Sequence, residues 1–254
     1  MMHLAAYYES VDPAGVYTPL AAVQDPSINT NGDNIRISSA IPAIFGVAGL
    51  TAAAGVISAQ LRSPSLRTLN NMFVRPLAPA LVFADPPEVM MMPRNARGMV
   101  PAEDLQFWTQ STPAAGAEDH YGLVWMSDGV LPTVNGEIFT VGAVAASALS
   151  LGVWVNSNIT FDQALPSGSY QVVGMRVEGA NLVASRLVFP GGGDNTFRPG
   201  VPGSTSAAIL DAQYMRFGQL GVYGTFNQDN PPTLDCLGVT DTAQTVLLDL
   251  IKIA

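Results

Sequence analysis

Apolar and polar residues alternate with a period of two along much of this chain, which is the signature of strands with one buried face. The alternation is cleanest over residues 169–190. Gln171, Val173, Met175 and Val177 fall on one face of its first run, and Tyr170, Val172, Gly174 and Arg176 on the other. Glu178-Gly179-Ala180-Asn181 follows with turn chemistry, because Gly and Asn accept positive φ at low cost. Residues 182–189 then return, with Val183, Ser185, Leu187 and Phe189 opposite Leu182, Ala184, Arg186 and Val188. The stretch predicts a β-hairpin. A lone hairpin is marginal in water, so the rest of the chain must supply strands to cover it.

The remaining pattern supplies them. Residues 1–33 are short apolar pieces broken by Asp12-Pro13, Asp25-Pro26 and an Asn/Gly turn at 29–33. With Tyr7, Tyr8, Val11, Val16 and Tyr17 they are too apolar for a disordered tail, and predict an extended N-terminal arm or edge strand that docks on a neighbouring subunit. Residues 38–61 carry no charge, a length that spans a bilayer. However, Ile35, Ile37, Ser39 and Ile41 alternate with Asn34, Arg36 and Ser38, and Ile57, Ala59 and Leu61 with Ser58, Gln60 and Arg62. Pro42, Gly46, Gly49 and Gly55 also weaken a helix interior. Strand–loop–strand is therefore preferred over a buried helix at 47–57 or a membrane span.

Seven prolines between 63 and 104 confine strands to short pieces. Residues 66–74 predict one short helix or strand, 81–84 a strand, and Met90-Met91-Met92 core filling. Strands are predicted over 105–109, 121–126, 136–144 and 152–161, with a helical turn at 143–149. A long loop covers 191–203, a short helix 207–214, a Gly-interrupted strand 215–226 and a turn 227–232. Residues 245–253 are apolar on both faces and predict a central strand. No repeat of fixed period is evident. The pattern predicts an all-β antiparallel sandwich or barrel: an arm over 1–33 and one large domain over 34–254, with subdivision near 100–130 as the alternative.

Composition adds a constraint on function. Of 254 residues, 48% are hydrophobic and 12% charged, against a usual charged share of about 25%. A chain so poor in charge is expected to hide surface against partners or a membrane. The net charge is −9 and Lys252 is the only lysine, which argues against neutralising nucleic-acid phosphates and against anionic lipid surfaces. Cys236 is the only cysteine, so no intrachain disulfide forms. The first nine residues lack the basic and apolar regions of a signal peptide.

Candidate chemistry is sparse. His3 and His120 lie far apart, and His120, after Glu118 and Asp119, reads as a surface-loop residue rather than a ligand or acid–base group. There is no His/Cys cluster with zinc spacing, no nucleophile elbow and no phosphate loop. Asp194-Asn195, Asp229-Asn230 and residues 29–33 carry hard oxygens, but without a calcium-loop pattern they read as turns. No catalytic, cofactor or metal residue is assigned, and a non-enzymatic role is expected.

The apolar, lysine-poor strands 152–161, 170–177, 182–189 and 245–253, the Gly/Pro/Asn-rich connections 190–205 and 227–232, and the apolar segment 1–33 give the chain a texture that resembles viral, phage-like coat proteins of the jelly-roll class. The resemblance lies in texture over roughly the C-terminal half and includes no diagnostic motif. It implies an antiparallel β-sandwich of jelly-roll type with two four-stranded sheets, long loops and one or two short helices. It further implies a virion capsid subunit that assembles with copies of itself, often as trimers, and with other virion proteins, without cofactor or direct nucleic-acid contact. The missing basic arm departs from coat proteins that bind RNA directly. Under this reading Leu4, Tyr7, Tyr8 and Tyr17 in the arm, and Phe197 and Arg198 in the long loop, form the subunit interface, and deletion of residues 1–20 should leave a folded but assembly-defective subunit. Two rivals stand beside it. One is a carbohydrate-binding or glycan-hydrolysing β-sandwich using acidic residues with Trp108, Trp125 and Trp154. The other is a membrane protein using 38–61.

Overall fold

The computed structural model describes residues 1–12, 14–51, 56–67, 72–74, 78–79, 90–91, 94–111, 116–129, 133–192, 196–204 and 215–253. Strands dominate them, with one short helix, Pro64–Arg67, among the described residues. The expected strand at 81–84, the expected helix at 207–214 and the Met90-Met91-Met92 side chains lie outside the described residues.

The first half of the chain holds β1 (Met2–Val11), β2 (Thr18–Pro19), β3 (Ala21–Ala22), β4 (Asn29–Asn31), β5 (Asn34–Arg36), β6 (Ala43–Thr51), β7 (Val56–Arg62), β8 (Met72–Val74), β9 (Ala78–Pro79), β10 (Met90–Met91), β11 (Arg97–Gly98), β12 (Asp104–Ser111) and β13 (Glu118–Ser127). The second half holds β14 (Phe139–Ala145), β15 (Val155–Phe161), β16 (Ser169–Glu178), β17 (Leu182–Val188), β18 (Gly200–Pro202), β19 (Gly224–Asn227), β20 (Thr233–Gly238) and β21 (Gln244–Lys252).

Two compact units result, a first of Ala5–Val82 with Pro87–Gly129 and a second chiefly of Val130–Ala254 with Met1–Leu4. The boundary at Gly129/Val130 falls at the edge of the 100–130 region named as the alternative to a single domain over 34–254. In the second unit the hydrogen-bonded order is β14-β21-β16-β19 in one half and β15-β20-β17-β18 in the other, joined by a short β14–β15 ladder. In the first unit β1-β13-β6-β10 and β5-β12-β7-β8 pair in the same way, with β2, β3, β4, β9 and β11 added at the margins. When each set of eight is numbered in chain order, both units read 1-8-3-6 and 2-7-4-5, the connectivity of a double-sheet jelly roll. The chain therefore contains this topology twice. The duplication is one of connectivity, not of residue spacing, which is why no period shows in the sequence.

Several elements differ from expectation. Strands β16 and β17 are not a hairpin: β16 pairs with β19 and β21, and β17 with β18 and β20, so the connection through Asn181 (φ 57°) passes from one sheet to the other. The same turn chemistry serves a hairpin and a crossing, and only the partner strands tell them apart. A bulge between Val172 and Gly174 also resets the faces, placing Tyr170 and Val172 on the side of Met175 and Val177. The apolar stretch taken as a loop, or alternatively as a helix at 47–57, contains β6, buried at every position and paired along β13. Among the described residues no helix is long and apolar enough to cross a membrane. The helical turn at 143–149 is absent, since 143–145 end β14. Of 215–226 only Gly224 onward is strand, and β18 lies inside the expected long loop. The β20 strand was not foreseen, and β21 is central as expected, between β14 and β16.

Candidate functional site

The polar chemistry of the second unit is concentrated at two carboxylates on the outer faces of its sheets. Registers Asn156↔Asp235, Asp235↔Arg186 and Arg186↔Gly200 form one row, while Cys236, Ser185 and Val201 alternate with it toward the core. Asp235 Oδ2 accepts from Arg186 Nε at 3.0 Å and from Arg198 Nη1 at 2.5 Å, and its Oδ1 accepts from Asn156 Nδ2 at 2.8 Å. Arg186 is fully buried; its Nη1 donates to the Leu4 carbonyl at 3.1 Å and its guanidinium lies 4.0 Å from the centre of the Trp154 ring. The Arg198 backbone N–H donates to His3 Nδ1 at 3.1 Å, and Phe197 meets His3 edge-on at 6.0 Å. This face is thus roofed by Met1–Leu4, Trp154 and the 197–198 loop. Gly200 permits the roof, since a Cβ there would lie 2.7 Å from Leu4 Cδ2. A guanidinium with no access to water is tolerated only when paired, and Asp235 provides the pairing.

The other sheet repeats the device. Thr140, Asp249 and Gly174 share a row. Arg216 donates to both oxygens of Asp249, Nε to Oδ2 at 2.6 Å and Nη2 to Oδ1 at 2.7 Å. Thr140 Oγ1 and the Phe217 N–H add bonds at 2.7 and 2.9 Å. Burial by itself would raise the Asp249 carboxyl, but the bonds from Arg216, Phe217 and Thr140 outweigh it and hold the pKa below the ordinary range. Three donors hold Asp235 and four hold Asp249, so both carboxylates anchor loops. The Asp249 anchor presents Phe217, at φ 54° and 55% exposed, on the surface.

The six residues expected at the subunit interface all have partners within the chain. Leu4 and Tyr7 are buried. Tyr7 donates to the Leu105 carbonyl at 2.7 Å, and burial pushes its pKa well above the usual value. Tyr8 donates to Asp119 at 2.8 Å and packs on Tyr121 at 4.8 Å; burial, then Asp119, raises its pKa to about 12. Tyr17 bonds Ser58 at 2.5 Å beneath the Arg62 guanidinium, and Phe197 and Arg198 hold the roof described above. The segment 1–11 is a strand between β13 and β3 rather than a free arm, so deleting residues 1–20 removes a core strand instead of a docking device. Among the described residues the exposed large apolar side chains are Val16, which the sequence already counted in the N-terminal segment, and Val100, Val144, Leu151, Val153, Phe217 and Ile253, which it did not single out. On β14 the buried positions are Ala143 and Ala145 while Val144 faces outward, in a row with Thr160 and Thr245 that continues to Glu178. The inversion of small inside and large outside on that strand was the only sequence signal for this face.

His120 is also not a surface residue. It is buried in β13 between Thr51 Oγ1 (3.4 Å from Nε2) and Thr109 Oγ1 (3.2 Å from Nδ1), and burial lowers its pKa to about 4 against opposing pulls from Asp119 and Asp12. Trp125 is a core residue, Trp154 lies against Arg186 and Trp108 against Arg62. Among the described residues no group of three or more His, Cys, Asp or Glu is placed to hold a metal. Asp194 and Asn195 lie outside the described residues. Residues 227–230 and 31–34 close local turns through Asn227 and Asn34.

A last polar feature lies in the first unit. Asn29, Asn31, Asn34, Arg36 and Asp104 line a cavity of about 120 Å³, on adjacent strands β4, β5 and β12 with registers Asn29↔Arg36 and Arg36↔Asp104. A cavity of about 510 Å³ shares Asn29 and Arg36 and adds Ser27, Ser38 and Ser39.

No family model and no curated protein matches the sequence. Among solved structures, the chain is similar to the major capsid protein P2 from bacteriophage PM2, over 100% of this chain and 98% of that one, at 10% identity and with a TM-score of 0.25, a likeness too loose to carry an argument.

Proposed function

We propose that this protein is a structural virion protein, a coat subunit that builds a shell with copies of itself. The carrying observation is the jelly-roll connectivity present twice in one chain of low charge. A sandwich of this kind offers rigid sides and variable loops, and a chain with two of them lets three copies place six around one axis, a tile that fills a plane. The low charge supports burial against neighbours, as obligate interfaces are large and apolar. Exposed Val144 and Phe217 take the place of the N-terminal segment as interface residues in this reading. The role is non-enzymatic, needs no cofactor, and at a net charge of −9 leaves genome contact to other virion components.

The test is the mass of the purified protein by light scattering together with negative-stain imaging. Trimers or larger symmetric particles are expected, and Val144→Glu with Phe217→Glu should release folded single subunits. A wild-type chain that remains a single subunit at high concentration refutes the reading.

A further inference from the structure

We infer that the paired cavities on β4, β5 and β12 of the first unit bind a neutral oligosaccharide. The walls of the smaller cavity are three carboxamides and one guanidinium–carboxylate pair. A carboxamide offers a donor and an acceptor in one plane, and a sugar hydroxyl is likewise both, so such a wall fits hydroxyl-rich ligands. The Asn29 and Asn31 amides have no hydrogen-bond partner among the described residues, which leaves both free to a ligand. The Asn34 amide is engaged at both ends within the chain and gives the wall a fixed backing: Gln106 Nε2, itself oriented by Trp108 Nε1 on Gln106 Oε1 at 3.0 Å, donates to Asn34 Oδ1 at 3.0 Å, and Asn34 Nδ2 donates to Asp33 Oδ1 at 2.9 Å. A wall pre-oriented by a bonded chain loses less freedom on binding.

Charge selects the class. Arg36 and Asp104 are 3.6 Å apart with side chains 53% and 51% exposed, a loose pair that presents donor beside acceptor and no net charge. With −9 on the chain, neither a phosphate nor an acidic sugar finds an uncompensated cation here. The larger cavity, at about 510 Å³, falls in the usual range for small-ligand sites, and its serine hydroxyls extend the same chemistry. Ala102, at φ 67°, forms part of its wall, a left-handed conformation that non-glycine residues adopt at a cost and that gathers at binding sites. The inference does not rest on shell assembly.

The test is a printed panel of neutral and sialylated oligosaccharides probed with the full chain, followed by calorimetric titration of the neutral binders. Binding of a neutral oligosaccharide with micromolar to millimolar affinity is expected. Asn29→Ala and Arg36→Ala should each weaken it by about five- to tenfold, the worth of one hydrogen bond. Both side chains are exposed, so the thermal midpoint should not move. No neutral binder, binding confined to sialylated members, or binding indifferent to both substitutions would each overturn it.

Discussion

Replacing Asp235 with alanine is expected to destabilise the second unit by about 3–5 kcal/mol, the cost of leaving a buried charge without its partner. The carboxylate accepts side-chain bonds from Arg186, Arg198 and Asn156. These losses are unequal. Asn156 is exposed and Arg198 retains 18% of its side-chain surface, so water replaces the lost bond for both. Arg186 has no exposed surface; its guanidinium still meets the Leu4 carbonyl and the Trp154 ring face, but the carboxylate that neutralises it is gone. The cost therefore falls mainly on Arg186. A domain is stable by about 5–15 kcal/mol in all, so the loss is a large fraction of the total. The assay is urea unfolding followed by circular dichroism. With a slope of about 2 kcal/mol/M, the midpoint of the second unit should fall by roughly 2 M. Arg198→Ala should cost less, about 1–2 kcal/mol. Arg186→Met combined with Asp235→Leu, which removes both charges, should recover most of the loss. A loss below about 1 kcal/mol for Asp235→Ala, or a double variant no better than the single, refutes the view that Asp235 exists to neutralise Arg186.

His120 should make the first unit acid-sensitive. Its folded pKa, about 4, lies below the ordinary value of about 6.5, so the unfolded chain takes up the proton first. The contribution is therefore full above about pH 6.5 and declines as pH falls toward 4. His120→Gln should flatten that part of a stability-versus-pH curve, and an unchanged slope would count against the assignment. Gly122→Ala should cost about 1–3 kcal/mol, because its Cβ would lie 2.5 Å from the Phe107 ring; thermal unfolding measures this, and Phe107→Leu should recover part of it.

Period-two alternation is a local property, and it located most strands directly. The alternating inward positions of β12, Leu105, Phe107, Thr109 and Ser111, are buried as their spacing implies. The doubly apolar β21 lies mid-sheet for the same reason. Pairing is not local. The run at 169–190 looks the same whether its two strands bond to each other or, as here, to strands far away in the chain, and a single bulged residue reversed the face of Tyr170 and Val172. His120, Arg186 and Asp249 carry polar labels that suggest water, yet each is buried against threonine or opposite charge drawn from distant segments. Low charge suggested association and pointed to Leu4 and Tyr7 as interface residues, but composition does not tell which partner covers a side chain, and the chain's own strands bury both. What the sequence determined by itself was the kind of element and the pressure to bury surface, since both depend on near neighbours and composition. What only the tertiary structure decided was strand order, its occurrence twice, and which apolar side chains were left outside, since those depend on contacts closed across the whole chain.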